Sequence, residues 1–202
     1  DNARLLPLVV TWLSQYGQFV ARHRLKRLVQ TELEPEHSAT LGLIVEESMA
    51  AGGTRELLIV SEACEPRRPA GPLSRAQRTE ASLSEIAKRH ASEASARWGA
   101  WAPPVEPKPD AIRPVSWLLE HNPELRERIV RKGDLRVSII ETLRRDIPGG
   151  SAPSEVALAK LSGATRAAVR KALAALHLEG VVTVGGDATN ERGHPVVLRV
   201  VV

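Results

Sequence analysis

Aromatic side chains are scarce in this chain: its 202 residues hold four tryptophans, one tyrosine and one phenylalanine. The apolar content, 43%, therefore rests on Ala, Leu and Val. Cores of small aliphatics suit closely packed helices. Cysteine is nearly absent. Cys64 alone cannot form an internal disulfide, which fits a reducing cytoplasm. No apolar run approaches the ~18 residues that span a bilayer. Asp1-Asn2-Ala3-Arg4 lacks the basic opening of a secretion signal. A cytoplasmic, nucleoid-associated protein without a membrane partner is expected.

Catalytic and metal motifs are missing too. No G-x-x-x-x-G-K-[ST], G-x-S-x-G or H-E-x-x-H occurs. His23, His37, His90, His121, His177 and His194 stand outside metal-ligand spacing with one another, with Cys64 or with a carboxylate pair. No enzyme activity, cofactor or metal is expected. Glu46-Glu47 reads as a solvated acidic pair on a helix, and Cys64 as a small buried hydrophobe. Trp98, Trp101 and Trp117 cluster around a proline-rich stretch and read as its anchors.

What is present is unevenly placed. Residues 131–202 hold 11 Lys/Arg against 7 Asp/Glu, whereas residues 1–130 hold 17 of each. The whole net charge of +4 lies in the last third. A domain-sized positive excess is a feature of surfaces that meet phosphate.

Along the chain, residues 3–16, 20–30 and 35–50 carry apolar side chains at helical spacing, with Gly17 and Gly52-Gly53 as stops. Residues 55–63 (RELLIVSEA) are rich in Leu, Ile and Val and read as a strand. Helix, helix, helix, strand is the order of a degenerate winged helix, so residues 1–64 are a candidate N-terminal domain of that kind. Residues 65–114 read as a connecting region: a Pro/Gly/Arg-rich linker (65–77), one polar helix with a thin apolar stripe (78–98), and an extended connector with five prolines in 102–114. Residues 115–202 form the C-terminal domain. It opens with two short helices broken at Asn122-Pro123. An amphipathic helix over 134–146 follows, with Asp134 as N-cap and Pro148-Gly149-Gly150 as its end.

Residues 153–180 concentrate the signal. Ser154 caps a helix to about Leu161, with Glu155 in its first turn. Gly163 stands at a tight turn that calls for positive φ. Thr165 caps a second helix to about Leu178. Val169, Ala172, Leu173 and Leu176 share one face of it and should pack on Leu158, Leu161, Ile139, Ile140 and Leu143. Arg166, Arg170 and Lys171 share the other, with Ala167 and Ala174 between them. From Lys160 to Lys171 there are four cations and no anion. Small residues among cations let a helix backbone enter a major groove ~12 Å wide. A solvated basic face is the plainer origin of such a pattern. The strand-like 181–186 and 195–202, joined by the polar turn 187–194, shift the balance, because a hairpin follows the recognition helix of a winged helix. Arg192 and His194 at its tip are candidate phosphate or minor-groove contacts.

Residues 148–182 resemble the DNA-binding module of gluconate-repressor (GntR) type bacterial regulators. The resemblance is carried by Pro148-Gly149, Pro153-Ser154-Glu155, Leu158-Ala159, Gly163, Thr165-Arg166, Val169-Arg170, Ala172-Leu173, Leu176 and Glu179-Gly180. It implies that Arg166 and Arg170 approach DNA. Here the module lies C-terminally, and Asn190-Glu191-Arg192-Gly193-His194 replaces the glycine-rich wing of that family.

The expected fold is mainly α with small β-hairpins and a C-terminal winged helix-turn-helix. The expected function is sequence-specific binding of double-stranded DNA by a homodimeric bacterial transcription regulator, through Lys160, Thr165, Arg166, Arg170, Lys171, Arg192 and His194. Two further readings stand beside it. One is a tandem winged-helix scaffold gripping partner subunits of a DNA-processing or defence complex. The other is a plasmid or phage replication or partition protein.

Overall fold

Three apolar stripes at helical spacing become three helices: α1 (Leu5–Tyr16), α2 (Arg22–Thr31) and α3 (Pro35–Ala50). Pro35 opens α3 at a position where its missing N–H costs nothing. The computed structural model describes residues 5–122, 125–131, 133–185 and 196–198 and is mainly helical with a few short strands.

The expected strand at 55–63 is helical instead. A 3-10 turn, Arg55–Leu57, runs into α4 (Leu58–Ser61), and Thr54 caps it by accepting from the Glu56 N–H at 3.3 Å. Leu57, Val60 and Cys64 are buried while Leu58 is exposed. Burial at spacings of three and four is helical periodicity, and it overrides the β-propensity of a short run. The strand that would complete a degenerate N-terminal winged helix is therefore not formed at 55–63.

Residues 65–102 are folded onto the N-terminal core rather than strung out as a linker. The strands β1 (Gly71–Pro72) and β2 (Ala100–Trp101) pair in parallel, Gly71 opposite Ala100. A short helix, α5 (Arg75–Arg78), comes first, and the single helix expected over 78–98 is two, α6 (Ala81–Arg89) and α7 (Glu93–Arg97). Ser92 makes the last break by capping α7, its Oγ accepting from the Ser95 N–H at 3.1 Å. Trp98, Ala100 and Ala102 join Leu13, Val29, Leu43, Val45, Leu57, Val60 and Cys64 in one core. Gly42 on α3 lets the Trp98 ring approach; a Cβ there would lie 2.3 Å from the indole.

The indole N–H of Trp98 donates to Glu46 at 2.7 Å, Arg97 pairs with the same carboxylate, and Glu47 accepts from the Ser92 hydroxyl at 3.3 Å. The acidic pair is thus structural, not merely solvated. Trp98 is the anchor expected of it; Trp117 is instead 38% exposed, stacked on His121 with Arg113 over its ring. Cys64 is a buried hydrophobe. Burial pushes its thiol pKa up, against the opposing hydrogen bond from Ser38. Because the thiolate is the nucleophile, a thiol reagent at pH 7.5 should modify native protein roughly a hundredfold more slowly than urea-unfolded protein. Equal rates in a timed alkylation would contradict this burial.

The proline-rich 102–114 stretch is irregular apart from a 3-10 turn at Pro109–Ala111. It runs along α1: the Lys108 N–H donates to the Thr11 hydroxyl at 2.8 Å and the Tyr16 hydroxyl donates to the Arg113 carbonyl at 3.1 Å. Two short helices follow, α8 (Val115–His121) and α9 (Arg126–Val130).

The C-terminal core is built from α10 (Leu135–Glu141, continued by a π-helical turn Thr142–Asp146), β3 (Ser151–Ala152), α11 (Glu155–Ser162), α12 (Arg166–Leu178), β4 (Val182–Val184) and β5 (Val196–Leu198). The sheet is antiparallel in the order β3-β5-β4, with Ala152 opposite Val196 and Thr183 opposite Val197. Ile139, Ile140, Leu143, Leu158, Val169, Ala172, Leu173 and Leu176 form the core with Ala152, Val182 and Val196. Leu161, expected among them, is only half-buried.

The two cores meet at α2 and the turns beside it. Arg128, almost fully buried, donates to the Phe19 carbonyl at 3.3 Å and pairs with Glu141; Arg24 pairs with Asp146 at 3.0 Å. Gly163 lies against the backbone of α2.

Candidate nucleic-acid interface

Local chemistry sets up the α11–α12 pair. Ser154 Oγ accepts from the Ala157 N–H at 3.2 Å, and Thr165 Oγ1 accepts from the Ala168 N–H at 3.3 Å. Each cap satisfies one of the N–H groups a helix start leaves free. Gly163 between them has φ 72°, the left-handed C-cap conformation. The turn is tight, so the start of α12 is held beside α11.

The buried side of α12 holds Val169, Ala172, Leu173 and Leu176; Arg166, Ala167, Arg170, Lys171 and Ala174 are exposed. Helical spacing puts Ala167, Ala174 and Leu178 along the crest of the exposed side. Arg166 and Arg170 flank the crest towards α11, and Lys171 flanks it on the other side. The two arginines converge on one carboxylate. Glu155, in the first turn of α11, accepts from Arg170 Nε at 3.2 Å and Nη2 at 3.1 Å, and lies 3.6 Å from Arg166 Nε. The Glu155 side chain is 17% exposed while both arginine side chains keep 61% exposure. Glu155 therefore orients two charge-bearing forks without hiding them.

Of the other expected contacts, Lys160 is exposed in the last turn of α11. Thr165 is exposed, with its oxygen engaged as the cap. Arg192 and His194 lie outside the described residues.

The flank carrying Lys171 faces α2 across a cleft of about 650 Å³, which Arg22, His23, Glu56, Arg131, Asp134 and Arg136 also line. Most of its charges are paired: Arg22 with Glu56 at 2.8 Å, Arg131 with Glu179 at 2.8 Å, and Arg136 with Asp134 at 2.8 Å and Glu179 at 2.6 Å. Burial would raise the Asp134 pKa, but the backbone N–H and guanidinium of Arg136 outweigh it and hold the carboxyl below its ordinary value. Sequence reasoning did not place α2 here, nor join Glu155 to both arginines. The basic run Arg22–Arg27 was the visible signal for the first. The Glu155 position in a first turn was the only signal for the second.

His23 sits in this cleft with its pKa lowered, first by burial and then by the charges of Arg22 and Lys26, against a smaller opposing effect of Glu56. The unfolded imidazole titrates near ~6.5. Below that, the unfolded chain binds the proton more readily than the folded one, so acid favours unfolding. The stability His23 confers is complete above pH ~6.5 and is lost as pH falls through the lower folded value. Urea midpoints measured from pH 7.5 to 5 should decline, and His23→Gln should reduce the decline; an identical pH slope in the variant would refute the assignment.

No protein-family model, no curated protein and no solved structure matches this chain.

Proposed function

We propose that the C-terminal unit is a winged helix-turn-helix of the gluconate-repressor kind, that α12 enters the major groove of double-stranded DNA, and that the protein is a sequence-specific regulator of transcription. The exposed side of α12 carries this reading. Ahead of Leu178 at the helix end, the crest of α12 is Ala167 and Ala174; Arg166 and Arg170 flank it on one side and Lys171 on the other, and α12 contains no carboxylate. A low crest over that stretch admits the backbone, while the cations beside it reach base edges from one flank and phosphate from the other. The order helix, strand, helix, helix, strand, strand, with β3-β5-β4 pairing, supports the same assignment. Arg166 and Arg170 read base edges; Lys171 and Lys160 meet phosphates. A dimer on two half-sites supplies the affinity that one small module lacks.

The test is binding of the full chain to a random-sequence duplex pool, followed by a salt series on the enriched motif. Enrichment of one motif, with log affinity falling against log salt at a slope of roughly −3 to −6, supports a sequence reader. Absence of binding at low salt refutes it. One observation favours a second reading, a scaffold that grips protein: Val156 on α11 and Leu178 at the end of α12 are 55% and 87% exposed. In that case Val156→Ser and Leu178→Ser abolish partner capture, and loss of the arginines does not.

A further inference from the structure

The start of α3 and the strap 67–72 border an open cavity of about 530 Å³. Three arginines, Arg67, Arg68 and Arg78, line it against one carboxylate, Glu36. Arg67 is spent on carbonyls. Its Nε donates to Gly99 at 3.1 Å, and its Nη2 donates to Pro72 at 3.0 Å and to Gly71. Its Nη1 is buried with no hydrogen-bond partner. Arg78 donates to the carbonyls of Pro72 at 2.8 Å and Leu73 at 2.9 Å, and pairs with Glu36. Carbonyl oxygens satisfy donors but do not neutralise charge. Burial, and then the like charge of Arg78, lower the Arg67 pKa against an opposing effect of Glu36. Glu36 is engaged by Arg78, leaving the exposed Arg68 and the half-buried Ser84 as donors that can turn to a guest.

We propose that this cavity binds a small phosphate monoester, with the phosphoryl group taken by Arg68 and Ser84 in the field of Arg67 and the organic part lying against Pro35, Pro69 and Pro72. A guanidinium fork matches phosphate oxygens two at a time. The volume falls in the range of small-molecule sites, roughly 300–1,000 Å³, and exceeds what a bare phosphate fills. The prolines give a rigid apolar wall that loses no side-chain freedom on binding. The site is independent of the DNA reading.

The test is titration calorimetry of the full chain with phenyl phosphate, inorganic phosphate and phenol. Saturable binding of phenyl phosphate is expected, weaker for inorganic phosphate and absent for phenol. Arg68→Ala and Ser84→Ala should each weaken it by about tenfold. Both side chains lie outside the hydrogen bonds that hold the strap, so the variants should fold. Arg113→Ala, at an exposed arginine over Trp117, should bind as the parent does. No saturable heat with phenyl phosphate at millimolar concentration overturns the proposal. So does binding that Arg68→Ala and Ser84→Ala leave unchanged.

Discussion

Replacing Arg166 and Arg170 together by alanine should weaken specific duplex binding by the full chain about a hundredfold or more while leaving its unfolding midpoint unchanged. A well-placed arginine on a base edge is worth ~1–3 kcal/mol, and two acting from one flank of α12 reach that factor. Folding should survive because both side chains are 61% exposed and, among the described residues, pair with Glu155 alone. Glu155 then loses two partners but keeps its favourable place in the first turn of α11. The comparison with Lys171→Ala sharpens the outcome. Lys171 lies on the other flank, and its loss should lower affinity for all sequences alike and reduce the salt slope by about one. Anisotropy with the enriched motif and with a scrambled duplex separates the two effects. If the double variant binds its motif as tightly as the parent, α12 is not the reading helix. If it loses binding together with its folded signal, far-ultraviolet dichroism will expose that at once.

Gly163→Ala should cost about 3 kcal/mol of stability, combining ~1–2 kcal/mol for a side chain at positive φ with ~1–3 kcal/mol for steric overlap. The closest overlap is with backbone: a Cβ at Gly163 would sit 2.2 Å from the His23 carbonyl oxygen of α2 and 2.8 Å from its carbon, with the Arg27 Cβ at 3.0 Å. None of these can swing aside as a flexible side-chain end does. Either α2 lifts away from the α11–α12 turn or the turn deforms. Gly180→Ala is the control. Gly180 also has φ 72°, but a Cβ there meets nothing within 4 Å, so it should cost only the conformational share, about 1–2 kcal/mol. The difference between the two urea-derived stabilities measures the seating of α2 on the turn. Equal losses would mean that this seating does not stabilise the protein.

That seating bears on the arginines too. α2 closes one side of the cleft beside Lys171 and leaves Arg166, Ala167, Arg170 and Ala174 exposed. The N-terminal half thus packs against the α11–α12 turn, across a cleft from the proposed reading helix, without covering its face, and a displaced α2 in Gly163→Ala should alter the Lys171 flank first.

Several features were legible before any folding. Asp134, Ser154 and Thr165 cap as their chemistry dictates, each accepting from an N–H two or three residues on. Gly163 takes the left-handed turn, and Val169, Ala172, Leu173 and Leu176 fill the core. These depend on near neighbours in the chain and on the 3.6-residue period, so the sequence by itself determined them. Tertiary structure decided the rest. Leu57, Val60 and Cys64 became the inner side of a helical segment because a mainly helical core awaited them. The two-residue strand β3 has no pattern of its own and exists through its pairing with β5. Residues 65–77 read as a linker until the guanidiniums of Arg67 and Arg78 found carbonyl partners in Gly71, Pro72, Leu73 and Gly99. Glu155 and Arg170 stand fifteen residues apart, and only the α11–α12 turn brings them within 3.1 Å. A short apolar run or a lone charge takes its role from whatever the fold sets opposite it, and that opposite side lies far away in sequence.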